Sequence, residues 1–257
     1  MNIKGEIGKL AGAFTRTSRQ YSITSAGKKL EIIRYHDGTR EVRYNNVVYS
    51  RINPKSIFTH SYWDYFLPLA YLCSNPKILM IGLGGGTIAY QFEKAGVHAE
   101  RFDIVEVDRD MIEIARVFYP SSKANIIEAN GLDYIKGKEG MYDLIILDAY
   151  INYSIPSQFT SKGFIDDAYA ALAGNGVLAI NYLQDATGSH LADAFIEALK
   201  GRFDVYALET RITLYNAILI ASKSIDGAGI YKAVSAGMPK EYAEANLMHS
   251  YANMKRA

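Results

Sequence analysis

Residues 78–87 read ILMIGLGGGT, an apolar run that breaks into four glycines within five positions. Glycine lets a ligand approach the backbone without a Cβ in the way, and a strand that turns there into a helix presents N–H groups to an anion or a nucleoside. The spacing separates ligand classes. Gly82, Gly84 and Gly86 satisfy G-x-G-x-G, the usual spacing for S-adenosyl compounds, whereas the dinucleotide fingerprint needs Gly or Ala where Thr87 stands. A tight strand-to-helix turn without a ligand has the same composition, so the loop alone leaves both readings open.

Carboxylates downstream narrow the choice. RFDIVEVD ends with Glu106 twenty positions after Gly86, where an acid can accept both ribose hydroxyls. An acid closing an apolar strand is costly to bury without a donor, which favours the ribose role. Asp108, just beyond, reads as the N-cap of the helix RDMIEIARV. In IIEANGLDYI, Asn130-Gly131 either makes a turn or offers an amide to an adenine edge. In YDLIILDAY, Asp143 reads as a turn residue, while Asp148 falls at the carboxyl end of the strand, the ligand-binding edge of open α/β sheets. Beside a sulfonium, Asp148 is suited to take a proton from an attacking amine; a loop or cap carboxylate is the other reading.

The elements that must position these groups follow from the patterning. KKLEIIRY, REVRY and VVYSRI alternate and are separated by Asp37-Gly38 and Asn45-Asn46, which predicts short antiparallel strands with tight turns. IFTHSYWDYFLPLAYLC carries apolar residues at helical spacing and predicts a helix leading into the glycine strand. From Lys77 onward strands and helices alternate to NAILIAS, which predicts a mostly parallel sheet covered by helices on both faces. The stretch from Gly227 is helical in flavour.

Composition bounds the function. With 28 Lys+Arg against 27 Asp+Glu and no long basic run, nucleic acid and membrane surfaces are poor partners. No segment offers about 18 uninterrupted apolar residues and no signal peptide is evident, so the expected location is the cytoplasm. Cys73 is the single cysteine, which excludes an intramolecular disulfide and predicts a buried thiol. The five histidines are scattered without ligand spacing, so no metal site is expected. His60 reads as a packed or exposed residue, and Gln158 and Thr160 as shaping a loop and capping the next helix.

Taken together, ILMIGLGGGT, DIVEVD, ANGLDY, YDLIILDAY and IPSQFTSKGFIDDAYAALAGNGVLAINY resemble the spermidine synthase (polyamine aminopropyltransferase) family over about residues 20–220. The resemblance implies an α/β chain: a small N-terminal antiparallel β domain, placed at residues 1–55, and a Rossmann-like S-adenosylmethionine-dependent transferase domain, residues 56–257. It implies transfer of an aminopropyl group from decarboxylated S-adenosylmethionine to a small-molecule amine, within polyamine biosynthesis, by a homodimer or higher homo-oligomer. It carries the donor site onto Gly82, Leu83, Gly84, Gly85, Gly86, Glu106, Val107, Asn130, Gly131 and Asp148, with Asp148 as the catalytic base and anchor of the acceptor amine. Tyr62, Asp64, Tyr65 and Tyr150 are the candidates for the substrate pocket.

Several positions depart from the family pattern. Gly85 stands where the resemblance places an Asp that holds the donor's amine, and Ile151 closes a segment, Asp148-Ala149-Tyr150-Ile151, where a second acid is expected. The Tyr-His/Gln-Glu motif before the glycine strand is also absent. A polycation needs several acids to replace its hydration. The donor's far end therefore stays open between decarboxylated S-adenosylmethionine and S-adenosylmethionine itself, which would make the chain a methyltransferase. A non-catalytic ligand-binding relative is the third reading.

Overall fold

The computed structural model describes residues 20–25, 28–44, 47–118, 123–151, 154–183, 190–210 and 216–257. Four antiparallel strands come first: β1 (Gln20–Ser25), β2 (Lys28–Arg34), β3 (Arg40–Tyr44) and β4 (Val47–Ile52), in the order β1-β2-β3-β4. The Asp37-Gly38 hairpin forms as expected. Thr39 N–H donates to Asp37 Oδ1 over 2.8 Å, and Gly38 takes a φ of 92°, which a Cβ would oppose. The Asn45-Asn46 turn lies outside the described residues. Leu30, Ile32, Val42 and Ile52 turn one side of this sheet into the core.

An eight-stranded sheet follows, in the order β12-β10-β11-β9-β8-β5-β6-β7. Its parallel half comprises β5 (Lys77–Ile81), β6 (Arg101–Glu106), β7 (Asn125–Glu128), β8 (Tyr142–Leu147) and β9 (Leu172–Leu183). Helices α1 (Thr87–Lys94), α2 (Arg109–Phe118), α3 (Gly131–Ile135), α4 (Lys162–Ala171) and α5 (His190–Lys200) interleave with these strands and their neighbours. The remaining strands, β10 (Asp204–Glu209), β11 (Asn216–Ser222) and β12 (Lys255–Arg256), pair antiparallel. The parallel expectation thus holds for the half that carries the glycine loop. Apolar side chains on both faces, among them Ile78 and Met80 on one and Leu79 and Ile81 on the other, explain the near-continuous hydrophobic runs. Register does the positioning: Ile81 lies level with Val105 and with Leu147, so residues 82, 106 and 148 emerge together at one edge.

The segment before β5 departs from the helix expected there. It forms two 3-10 turns, Tyr62–Phe66 and Pro68–Tyr71. Pro68 has no N–H to continue an α-helical ladder and disfavours helical geometry in the residue before it. The apolar spacing is instead used by packing, with Trp63, Tyr65, Phe66, Leu67 and Leu69 buried. Cys73 corrects another expectation: it is exposed just beyond the second turn. The C-terminal helices form as expected, α6 (Gly227–Gly237) and α7 (Ala245–Ala252), and Tyr251 of α7 donates its hydroxyl to the Tyr65 carbonyl at 2.6 Å. No helix among the described residues is long and apolar enough to cross a membrane.

Candidate active site

The glycine loop connects β5 to α1, and its glycines answer to protein packing as much as to any ligand. A Cβ on Gly82 would lie 2.3 Å from the Asp148 carbonyl oxygen, so this glycine lets the loop cross the end of β8. A Cβ on Gly85 would lie 2.4 Å from the Ser50 Cβ and 2.7 Å from its Oγ. Strand β4 therefore occupies the direction in which residue 85 would project a side chain. Gly84 sits beneath the Tyr49 carbonyl of the same strand. The contact is fastened by Thr87, whose hydroxyl lies 2.9 Å from Ser50 Oγ and accepts the Arg51 N–H at 3.0 Å. A side chain at position 85, an acid included, would therefore have to displace the N-terminal sheet.

Glu106 ends β6 facing this loop. Its Oε2 accepts the Leu83 N–H at 2.9 Å, and Oε1 accepts the N–H groups of Val107 and Asp108 at 2.8 and 2.9 Å. Burial raises its proton affinity, and the backbone donors oppose that. Oε2, with one backbone donor, retains acceptor capacity for a hydroxyl. Val107 beside it is 71% exposed, an apolar surface without a protein cover. Asp108 accepts from Asp110 N–H at 2.9 Å and so caps α2, the local reading of the sequence. Asn130 caps α3 through an Oδ1 that accepts the Leu132 N–H at 2.9 Å; its Nδ2 is the group left to face a ligand edge. Gly131 packs against Ile81, whose Cγ2 would lie 2.5 Å from an added Cβ.

Asp148 leaves β8 at the same edge. Its backbone N–H donates to Ile81 O at 2.9 Å, and its Oδ1 accepts Asn181 Nδ2 at 2.8 Å. The Tyr62 hydroxyl lies 3.4 and 3.5 Å from the two carboxylate oxygens. Burial pushes the Asp148 carboxyl up to about 6; Asn181 and Tyr62 restrain the rise, and the Glu106 charge adds to it. A carboxylate poised near neutrality can take a proton from an amine and release it again. Tyr150 donates to the Asn181 carbonyl at 2.6 Å, and Asn216 Nδ2 donates to Asn181 Oδ1 at 2.9 Å.

Two pocket candidates are placed elsewhere. Asp64 is buried and accepts from Thr59 N–H, Thr59 Oγ1, His60 N–H and Gln91 Nε2, the closest of these at 2.5 Å. It is a strut under the 59–60 backbone, where His60 holds a φ of 54°, with no capacity left for a substrate cation. Tyr65 is wholly buried, its ring in the core. Successive side chains in this tight turn point in different directions, so only Tyr62 of the three reaches Asp148. Ser161, rather than Gln158 or Thr160, caps α4 by accepting the Phe164 N–H. Asp143 accepts the Lys77 N–H at 2.8 Å, tying the starts of β8 and β5. Among the described residues no group of three His, Cys, Asp or Glu side chains could hold a metal ion.

The sequence reading missed Ser50, Asn181 and Asn216. Asn181 carried a visible signal, an amide directly after the apolar GVLAI run of β9. Nothing local marks Ser50 or Asn216, whose roles arise from long-range pairing.

Comparison with known proteins agrees with this architecture. A polyamine aminopropyltransferase from Chromobacterium violaceum is 31% identical over 140 residues, covering 52% of this chain and 52% of that protein. The chain spans about half the length of the curated relatives it matches. A spermidine synthase structure in complex with the transition-state analogue AdoDATO superposes with a TM-score of 0.67 at 19% identity, covering 92% of both chains. Human methyltransferase-like protein 13 with SAH is a more distant neighbour, with a TM-score of 0.55 at 21% identity over 76% of this chain and 90% of that one. Residues 65–215, from within the first 3-10 turn through β5 to the segment before β11, match the spermine/spermidine synthase domain, and the chain belongs to that family.

Proposed function

We propose that the protein transfers an aminopropyl group from decarboxylated S-adenosylmethionine to a small amine. The observation that carries this is Asp148, half-buried at the sheet edge with a carboxyl near 6, level with the glycine loop and Glu106. In this reading Glu106 Oε2 accepts a ribose hydroxyl, Val107 flanks the adenine, and Asn130 Nδ2 reaches its edge. The residues present fit a nucleoside: an acceptor with spare capacity and an exposed apolar flank at the end of β6, and an amide just beyond the end of the adjacent β7.

The chemistry is an in-line displacement. The acceptor amine attacks the aminopropyl carbon bonded to sulfur; the C–N bond forms as the C–S bond breaks, and its electron pair passes to sulfur, leaving neutral methylthioadenosine. Asp148 takes the proton that the amine gives up, and Tyr62 and Tyr150 line the approach. Proximity and alignment supply most of the acceleration. One observation favours a second reading, methyl transfer from S-adenosylmethionine: Ser50 fills the direction of residue 85, so no acid there holds an aminopropyl ammonium.

Residues 1–55 form the small β unit and residues 56–257 the catalytic one in this proposal, which also makes the protein a cytoplasmic homodimer or higher oligomer. The edge position of β1 supports self-association, and a lone cysteine suits a reducing compartment. Titration calorimetry with decarboxylated S-adenosylmethionine, S-adenosylmethionine and methylthioadenosine tests the reading, with light scattering for the oligomer. Tighter binding of the decarboxylated donor than of S-adenosylmethionine is expected. Preference for intact S-adenosylmethionine overturns it in favour of methyl transfer, and binding of none of the three removes the enzyme reading.

A further inference from the structure

Asp148 is held by a relay of amides that no local motif announces. Asn181, on β9, is 2% exposed and every polar group of it that faces the site has a partner. Its Oδ1 accepts from Asn216 Nδ2 at 2.9 Å, its Nδ2 donates to Asp148 Oδ1 at 2.8 Å, and its carbonyl accepts the Tyr150 hydroxyl at 2.6 Å. An amide has one accepting and one donating end, so a donor at Oδ1 decides what Asp148 meets. Asn216, one strand further out on β11, is that donor. With Asn216 in place, the end of Asn181 turned to Asp148 is the donating one.

We infer that Asn181 is a positioning residue for the transfer reaction, fixing the Asp148 carboxylate so that Oδ1 is held by the protein and Oδ2 is left to receive the amine proton, with Asn216 setting the orientation of Asn181. The inference rests on the proposed reading of Asp148 as base. The asymmetry supports it: the one short side-chain hydrogen bond, from Asn181, falls on Oδ1, while the Tyr62 hydroxyl stands off from both oxygens at 3.4 and 3.5 Å. The relay also acts against its surroundings. Burial and the Glu106 carboxylate both favour the protonated acid, Tyr62 and Asn181 favour the anion, and Tyr150 reaches the site through the Asn181 carbonyl. Removing the amide donor takes away a hydrogen bond that is stronger to the charged form than to the neutral acid.

The test uses Asn181→Ala, Asn181→Leu, Asn216→Ala and Asn216→Asp, read in two ways: the pH profile of kcat/KM, and direct titration of Asp148 by carboxyl carbon NMR, assigned with Asp148→Asn. Methylthioadenosine affinity serves as the control for folding. The Asn181 variants should move the acidic limb and the Asp148 titration upward together by about one pH unit, with kcat falling more than KM rises. Asn216→Ala should shift both by less. Asn216→Asp should shift them more than Asn216→Ala, because a carboxylate there draws the Asn181 amide away and turns its carbonyl toward Asp148. Folded variants that lose activity with limb and titration unmoved would overturn the inference, leaving Asn181 a packing residue. A wild type without transfer activity whose Asp148 titration still moves in the variants would instead overturn the reading of Asp148 as base and leave the amide relay standing.

Discussion

Two aspartates of the same sheet have opposite fates. Asp103, early in β6, is 1% exposed and accepts from Arg101 Nε at 2.5 Å, Tyr142 at 2.8 Å, Tyr134 at 2.9 Å and Asn125 Nδ2 at 3.1 Å. Burial works to raise its proton affinity, but Arg101 and the other donors overcome it, so the carboxyl is held below its ordinary value. Asp148, just beyond the carboxyl end of β8, has one close side-chain donor and a carboxyl near 6. A buried carboxylate supplied with a cation and several donors is a fixed anion; one left short of donors beside another acid becomes a base that can cycle. Donor supply, rather than burial, separates the carboxyl held below its ordinary value from the one pushed up to about 6.

The comparison is most directly broken at Asp148. Asp148→Asn keeps an acceptor for Asn181 and is expected to lower kcat by about 10²- to 10⁴-fold while methylthioadenosine affinity stays within about threefold, measured by steady-state kinetics and calorimetry; surviving turnover would remove Asp148 as base. At the other acid the effect should fall on stability. Asp103→Ala leaves Arg101 and three further donors facing a void, and a loss of about 3–5 kcal/mol is expected in chemical denaturation. The kcat/KM pH profile of whatever remains folded should keep its acidic limb, and a shifted limb would show that the two acids are not independent.

Smaller changes sharpen the contrast. Gly85→Ala drives a Cβ into Ser50 and should cost about 1–3 kcal/mol; adding Ser50→Gly should recover part of that loss, giving a coupling between the two positions in a double-mutant cycle. Additive losses would mean that β4 moves away freely. In the wild type, activity should fall as the pH drops below about 6, since protonated Asp148 cannot act as base. The stability sign is opposite: a carboxyl raised in the folded state favours folding while protonated, and that contribution is lost as the pH rises from about 4 through about 6. Asp148→Asn should therefore raise the Tm at pH 8 relative to wild type more than at pH 4, checked by calorimetry.

Much of the architecture was legible because it is written in short periods. Two-residue alternation announced the N-terminal hairpins, and the order of strands and helices placed the glycine loop, Glu106 and Asp148 at carboxyl ends of strands, which parallel register brings to one edge. The misreadings share a cause. Helical spacing at Tyr62–Tyr71 was real, but Pro68 divided it into 3-10 turns whose rotation buried Tyr65 and turned Asp64 to the 59–60 backbone. Cys73 followed the same break to the surface.

By itself, then, the sequence determined which groups reach the ligand edge, since strand ends and glycine turns are fixed by near neighbours. Only the tertiary structure decided what those groups can do. The proton affinity of Asp148 depends on Asn181, 33 residues away, and on the orientation that Asn216, 35 residues further on, gives its amide. The side chain that residue 85 can carry depends on Ser50 in another sheet. Hydrogen bonding and close packing act through space over a few ångströms, and strand order, not proximity along the chain, sets which residues come that near.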